Sequence, residues 1–429
     1  MTYQETCNYL YQQTPSFEKT GRTGFNEGLA NTFVLDEYTG HPHRQFRSVH
    51  IAGTNGKGSV SHTLASHFQR AGYRVGLYTS PHLVDFRERI RVNGDMIPEE
   101  YVVSFVDDFI KWNQNEAHLN PSFFELTTAL AFRYFADMHV DIAVIEVGLG
   151  GRLDCTNIIT PVLSVITNIS FDHTDMLGNT LAMIAREKAG IIKPRVPVVI
   201  GEDSAETRPV FLQVAKDADA PIVLASDKPI VCTVTPLKDG GMNYLTTDGV
   251  TFDGELGGLY QVHNTNTVLH ALRQLQQMGI IEHIDYDAFR NVTESTGLMG
   301  RWQKLQEHPV VVCDTGHNVG GWQYLSRQLE AVRCREMHIV FGMVSDKDAA
   351  TVISMLPKTA HFYFTKAQTK RAIPENELLQ IAQTKGLSGQ AYSTVYEAYQ
   401  AAMQQAADDD FVFVGGSTYV VSDLLRSII

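Results

Sequence analysis

This 429-residue sequence is short of several things, and each shortage narrows what it can do. It has no run near the ~18 uninterrupted apolar residues that read as a membrane span, so no membrane association is expected. Its N-terminus, MTYQETCNYLYQQTPSF, lacks the basic segment and apolar stretch of a secretory signal, and a cytoplasmic location is expected. Basic residues are outnumbered, 35 Lys and Arg against 48 Asp and Glu, for a net charge of −13. Bulk nucleic-acid binding is therefore not expected, although a local basic pocket for a small anion stays open. The five cysteines (Cys7, Cys155, Cys232, Cys313 and Cys334) are odd in number and scattered, with no CxxC pair and no zinc spacing. They read as thiols of a reducing compartment. The 16 histidines include no HExxH, which removes the zinc-hydrolase motif.

What is present is a core-forming composition, 44% hydrophobic and 19% charged, over a length that favours two or three domains. Strand and helix patterns alternate. Arg47–Ala52 reads as a strand, followed by a Gly-rich turn, a helix near Ser59–Ala71 and a strand at Tyr73–Tyr78. Apolar spacing of three and four predicts helices near Pro98–Trp112, Ser122–Met138 and Thr180–Ile192. Asp141–Val147 and Val162–Ile169 are near-continuous apolar runs, which suit parallel strands covered on both faces. Between about Pro229 and Gly258, short Val/Thr/Tyr/Phe pieces broken by DGG, DG and GG predict β-hairpins. Glu294–Gly300 is the linker candidate, and alternation resumes from Val310–Cys313 to Phe411–Val414. The expected fold is α/β in two domains. Residues 1–297 would carry a mainly parallel sheet and a small β subregion, and residues 298–429 a smaller Rossmann-like domain.

Gly53-Thr54-Asn55-Gly56-Lys57-Gly58-Ser59 lies between the first strand and its helix. Glycines let the backbone curl so that N–H groups face phosphate oxygens. The helix N-terminus adds positive potential, a lysine reaches the phosphates, and a hydroxyl approaches magnesium. The general GxxxxGK[ST] pattern is not strictly met, because Ile51 stands at its first glycine and Gly58 pushes the hydroxyl to Ser59. A plain Gly-rich turn is the alternative, and Lys57 with Ser59 in this context weighs against it.

Other residues admit two readings. Glu146, in the strand Ile142–Val147, is a magnesium ligand or half of a buried salt bridge. Ser80, in Thr79-Ser80-Pro81-His82, offers a hydroxyl at a strand end or simply lies in a strand-terminating turn, and His173, after another apolar strand, is a metal ligand or a solvated loop histidine. Lys188 continues the apolar stripe of Leu181, Ile184 and Ala185, so it points where its helix packs. An inward ammonium needs a carboxylate, a phosphate or chemical modification, unless it snorkels out. Further on, Arg301 sits at the linker, Asp314, His317 and Asn318 follow a strand, and Asp346-Lys347-Asp348 follow another.

Together these residues resemble the folylpolyglutamate synthase/dihydrofolate synthase family, relatives of the Mur ligases. The resemblance rests on Gly53–Ser59, Leu77–Leu83 (LYTSPHL), Glu146–Asp154 (EVGLGGRLD), Asp172–Gly178, Ala185–Pro194, Tyr260-Gln261 with Asn264, Gly300-Arg301, the Asp314/His317/Asn318 cluster and Asp346–Asp348. It implies a P-loop ATPase domain followed by a ligase domain that binds glutamate. It further implies ATP phosphates on Gly53–Ser59, magnesium on Ser80, Glu146 and His173, and a carbamylated Lys188, with K+ as a further cation. Asn264, Arg301 and Asp314 match nucleotide contacts, and His317 faces the amino-acid substrate. The implied reaction is ATP-dependent addition of L-glutamate to dihydropteroate or a reduced folate through an acyl phosphate, by a monomer. A Mur-type ligase of another substrate and a non-ligase P-loop protein are the alternatives. There is no NKxD guanine-reading motif, and the second domain would be unexplained in a simple P-loop protein. The sequence departs from the family at Thr315, where Ala is commoner, at Cys155, and across the N-terminal 45 residues, which match loosely.

Overall fold

A computed structural model describes residues 1–12, 14, 28–238 and 240–428. Part of the loosely matching N-terminal 45 residues therefore lies outside the described residues. The chain divides into two compact units. The first comprises Met1–Cys232, Thr246–Val250 and His263–Gly297, and the second Thr233–Leu245, Thr251–Val262 and Leu298–Ile429.

In the first unit, eight strands form one sheet: β1 (Arg47–Ala52), β2 (Val75–Tyr78), β3 (Ile90–Val92), β4 (Asp95–Met96), β5 (Ile142–Glu146), β6 (Leu163–Ile166), β7 (Val198–Ile200) and β8 (Ile222–Leu224). Their order is β4-β3-β2-β5-β1-β6-β7-β8. The pairs from β2 through β8 are parallel, while β3 and β4 add an antiparallel edge. Every residue of β2, β5 and β6 is buried, as their unbroken apolar runs require of strands covered on both faces. The short strands β3, β4 and β8 were not expected; two or three residues are too few to show an alternation.

The second unit holds a six-stranded sheet of β12 (Gln303–Glu307), β13 (Val310–Asp314), β14 (Met337–Phe341), β15 (His361–Thr365), β16 (Gly389–Tyr392) and β17 (Phe411–Gly415), ordered β12-β13-β17-β14-β15-β16. All pairs are parallel except β12 with β13. A small sheet is built from β9 (Val231–Pro236), β10 (Met242–Thr246) and β11 (Thr251–Gly254).

Two stretches inside the expected first segment, 1–297, group by contact with residues 298–429. Residues 233–245 and 251–262 belong with the second unit. The reason is in the side chains. A Cβ on Gly257 would meet the Trp302 ring at 2.8 Å, the Leu259 N–H donates to the Gln328 side chain, and the Tyr260 hydroxyl donates to Asp314 at 2.6 Å. The linker candidate is also partly helical, since Val292–Thr296 forms a short helix ending at Gly297.

Candidate functional site

In the first unit the carboxyl ends of β2, β5, β1 and β6 lie side by side, with neighbouring strands about 4.8 Å apart. Ser80 follows β2, Glu146 closes β5 with Ile51 of β1 as its register partner, Gly53–Ser59 leaves β1, and His173 follows β6. The sheet thus gathers four expected site segments along one edge, where open α/β sheets hold their ligands.

The loop Gly53–Ser59 owes its shape to two glycines and a set of cross-strand bonds. Gly53 has φ +146° and Gly56 φ +82°, and a Cβ on either would strike the side chain of Thr167 or Asn264 respectively. The Thr54 and Asn55 amides donate to the Asn168 carbonyl and side-chain oxygen, both at 2.9 Å. Thr167 Oγ1 donates to the Asn55 carbonyl at 2.6 Å, and Thr54 Oγ1 exchanges bonds with Ser170 at 3.2 and 3.1 Å. The helix Lys57–Arg70 starts here, with Gly56 at its N-cap and Ser59 buried in its first turn. Asn264, in the helix Gln261–Gln277, is buried against the loop.

Two lysines converge on one carbonyl. Lys57 Nζ donates to the Gly53 and Thr54 carbonyls at 3.1 Å each, and Lys188 Nζ donates to Gly53 O at 2.9 Å. Lys188 is one of four buried residues in the helix Leu181–Ala189, and only 5% of it is exposed. Burial, and then the neighbouring Lys57 charge, bring its pKa down from 10.5 to about 7, against the pull of Asp172 and Asp154. Asp154 is itself buried; its carboxylate accepts the Leu149 N–H at 2.8 Å and the Thr156 N–H at 3.0 Å. Thr156 Oγ1 donates to Asp154 and so accepts from His50 Nε2 at 2.8 Å. Full burial lowers the His50 pKa to about 3 and keeps that imidazole neutral.

In the second unit Asp314 ends β13 and is 3% exposed. Its carboxylate accepts from the Tyr260 hydroxyl at 2.6 Å, from the Trp302 N–H at 2.8 Å and from the Gly316 N–H at 2.8 Å. Burial raises its pKa, against the three bonds and the Arg301 charge. Arg301 Nη1 donates to the Gly300 carbonyl at 3.2 Å and to Thr315 Oγ1. His317 Nδ1 lies 3.1 Å from the Thr315 carbonyl, which can only accept, so this nitrogen carries the proton. Asn318 caps the helix Val319–Ala331 through the Gly321 N–H at 2.9 Å. A separate cluster of Glu336, His338 and Asp410 has the spacing of metal ligands. Asp410, however, already takes the Arg335 guanidinium at 3.0 and 2.7 Å, an ion pair rather than a cation cradle.

Residue type and spacing alone mark no role for Thr167, Asn168, Asp154, His50, Tyr260 or Thr315. Several stand in the quoted motifs, but their partners lie in distant segments, so no local pattern marks them.

Residues 51–272 match the Mur ligase middle domain, and residues 300–418 match the Mur ligase glutamate ligase domain. The chain is 32% identical, over 94% of its length and 96% of the relative's, to the dihydrofolate synthase/folylpolyglutamate synthase of Bacillus subtilis (strain 168). It is also similar to the solved Escherichia coli FolC in complex with DHPP and ADP, with a TM-score of 0.83, 30% identity and coverage of 100% of this chain and 98% of that one. The bifunctional folylpolyglutamate synthase/dihydrofolate synthase of Yersinia pestis, complexed with AMPPNP and Mn ion, gives a TM-score of 0.81 at 28% identity, covering 100% and 98%.

Proposed function

Since this chain belongs to the folylpolyglutamate synthase/dihydrofolate synthase family within the Mur ligases, we propose that it joins L-glutamate to the carboxylate of dihydropteroate or a reduced folate, using ATP. It is an ATP-dependent ligase, and relatives named for both activities support the bifunctional reading. Solved relatives with ADP, and with AMPPNP and Mn ion, support ATP and a divalent metal.

The observation that carries the reading is the pinned loop Gly53–Ser59, with Lys57 at its helix start and the buried Lys188 beside it. A carboxylate and an amine do not form an amide at neutral pH unaided. ATP supplies the phosphoryl group that turns the carboxylate into an acyl phosphate, and the glutamate amine then displaces phosphate through a tetrahedral intermediate. Lys57, the loop N–H groups and Arg301 would balance charge on the phosphoryl oxygens. The hydroxyl and carboxylate oxygens of Ser80 and Glu146 suit a hard divalent cation such as Mg2+, and His173 would add a softer, imidazole donor. Asn264, Arg301 and Asp314 are assigned to the nucleotide, and His317 to the side that receives glutamate.

A pKa near 7 leaves much of Lys188 as a free amine at neutral pH, able to attack CO2 and lose a proton to give a carbamate. That step would replace two crowded cations with an ion pair, and K+ would be a further counter-ion. The proposal extends to a monomer acting in the cytoplasm on small molecules. Among the described residues no helix is long and apolar enough to cross a membrane.

The test is ADP release by the purified protein with L-glutamate and either 7,8-dihydropteroate or tetrahydrofolate. Release is expected with both acceptors and absent in Lys57→Ala. A Lys57→Ala variant as active as wild type would refute the assignment.

A further inference from the structure

Arg301 lies between two residues in the left-handed region, Gly300 at φ +70° and Trp302 at φ +45°. Glycine adopts that conformation freely, whereas a tryptophan there is strained and persists only if its surroundings hold it. Here they do. The Trp302 N–H is held by Asp314 at 2.8 Å, and its ring stacks on Phe411 and tilts against Phe413, with centroids 6.0 and 5.9 Å away. Asp314 is in turn fixed by the Tyr260 hydroxyl and the Gly316 N–H.

The side chain of Arg301 is held as well. Thr315 Oγ1 donates to the Gly300 carbonyl at 3.1 Å and accepts from Arg301 Nη1, and the Thr315 N–H donates to the same carbonyl at 3.0 Å. Among the described residues, Nε and Nη2 of Arg301 make no hydrogen bond, so the guanidinium is tethered at one nitrogen and open at two. Two open, coplanar N–H groups on an oriented guanidinium form a fork suited to phosphate oxygens.

We propose that Thr315 is a positioning residue whose hydroxyl presets the Arg301 side chain for the nucleotide, on a turn locked by Asp314. An alanine at 315 would keep the backbone bond to Gly300 and leave Arg301 Nη1 with the Gly300 carbonyl alone, without the hydroxyl. The carboxylate of Asp314, with three donors on it at 3% exposure, holds this turn. The inference rests on the assignment of Arg301 to the nucleotide.

The test compares Thr315→Val, which keeps the shape and removes the hydroxyl, with Thr315→Ser, which restores it. Loosening one long side chain, left with the Gly300 carbonyl as its partner and still to be ordered on binding, lowers kcat/KM for ATP about three- to tenfold in Thr315→Val. Thr315→Ser should retain the wild-type value, and KM for glutamate should stay within about twofold in both. In an Arg301→Ala background the Thr315→Val change should have no further effect, because nothing remains to be positioned. An equal loss from Thr315→Val with and without Arg301, or no separation between Val and Ser, overturns the proposal. An Arg301→Ala variant with wild-type kcat/KM for ATP instead removes the nucleotide assignment of Arg301, and the tether falls with it.

Discussion

The two units each set a cation at the carboxyl end of a strand, but they anchor it in opposite ways. The loop bearing Lys57 is held by many modest bonds spread over Thr54, Asn55, Thr167, Asn168 and Ser170. The turn bearing Arg301 depends on one carboxylate, that of Asp314, which serves three donors. Distributed anchoring holds a curve of backbone whose N–H groups can meet an anion. Concentrated anchoring holds one strained residue so that its neighbour's side chain has a defined origin. The first unit also crowds a second lysine beside Lys57: burial and that like charge bring the Lys188 pKa down to about 7.

The largest expected effect tests the concentrated anchor. Asp314→Ala leaves the Tyr260 hydroxyl and the Trp302 N–H without their acceptor, at about 1–3 kcal/mol for each buried donor. Urea unfolding of the second unit should shift accordingly; an unchanged midpoint would mean that Asp314 carries no such load. Next comes the distributed anchor, at one of the two glycines that shape its loop. Gly53→Ala forces a Cβ onto Thr167 from a left-handed backbone and should cost about 1–3 kcal/mol, along with ADP release. Retained ADP release in Gly53→Ala would show that the loop can reshape around a side chain.

The smallest effect tests that crowding by pH. Lys188 has a folded pKa of about 7 against 10.5 as its ordinary value, so between these the unfolded chain binds the extra proton. Stability from this group therefore rises with pH across that window, by about 1 kcal/mol from pH 7 to pH 8. Wild type minus Lys188→Met, measured by urea unfolding over this range in CO2-free buffer, where the amine is unmodified, should show that slope. A flat difference for Lys188 would mean that the amine does not titrate there.

Much of this was legible along the chain. Unbroken apolar runs marked the buried strands β5 and β6, and the stripe of Leu181, Ile184 and Ala185 already turned Lys188 inward. The edge strands β3 and β4 were not legible, because pieces of three and two residues carry no period. Nor was the allocation of residues 233–245 and 251–262, since what binds them to the second unit is the packing of Gly257, Leu259 and Tyr260 on residues 302–328.

The opening shortages and the motifs, taken alone, established an α/β chain with a phosphate-type loop, an inward lysine, and acids and histidines at strand ends. Those are properties of spacing and residue type, which the chain carries before it folds. Tertiary structure decided which groups meet. Lys188 reaches a carbonyl 135 residues away, and Tyr260 reaches a carboxylate 54 residues away. It also decided their charge states, because a lysine pKa of about 7 comes from lost solvation and a neighbouring ammonium. Thr315 shows the same division: in the sequence it is an unusual residue, and only the fold makes its hydroxyl the partner of Arg301.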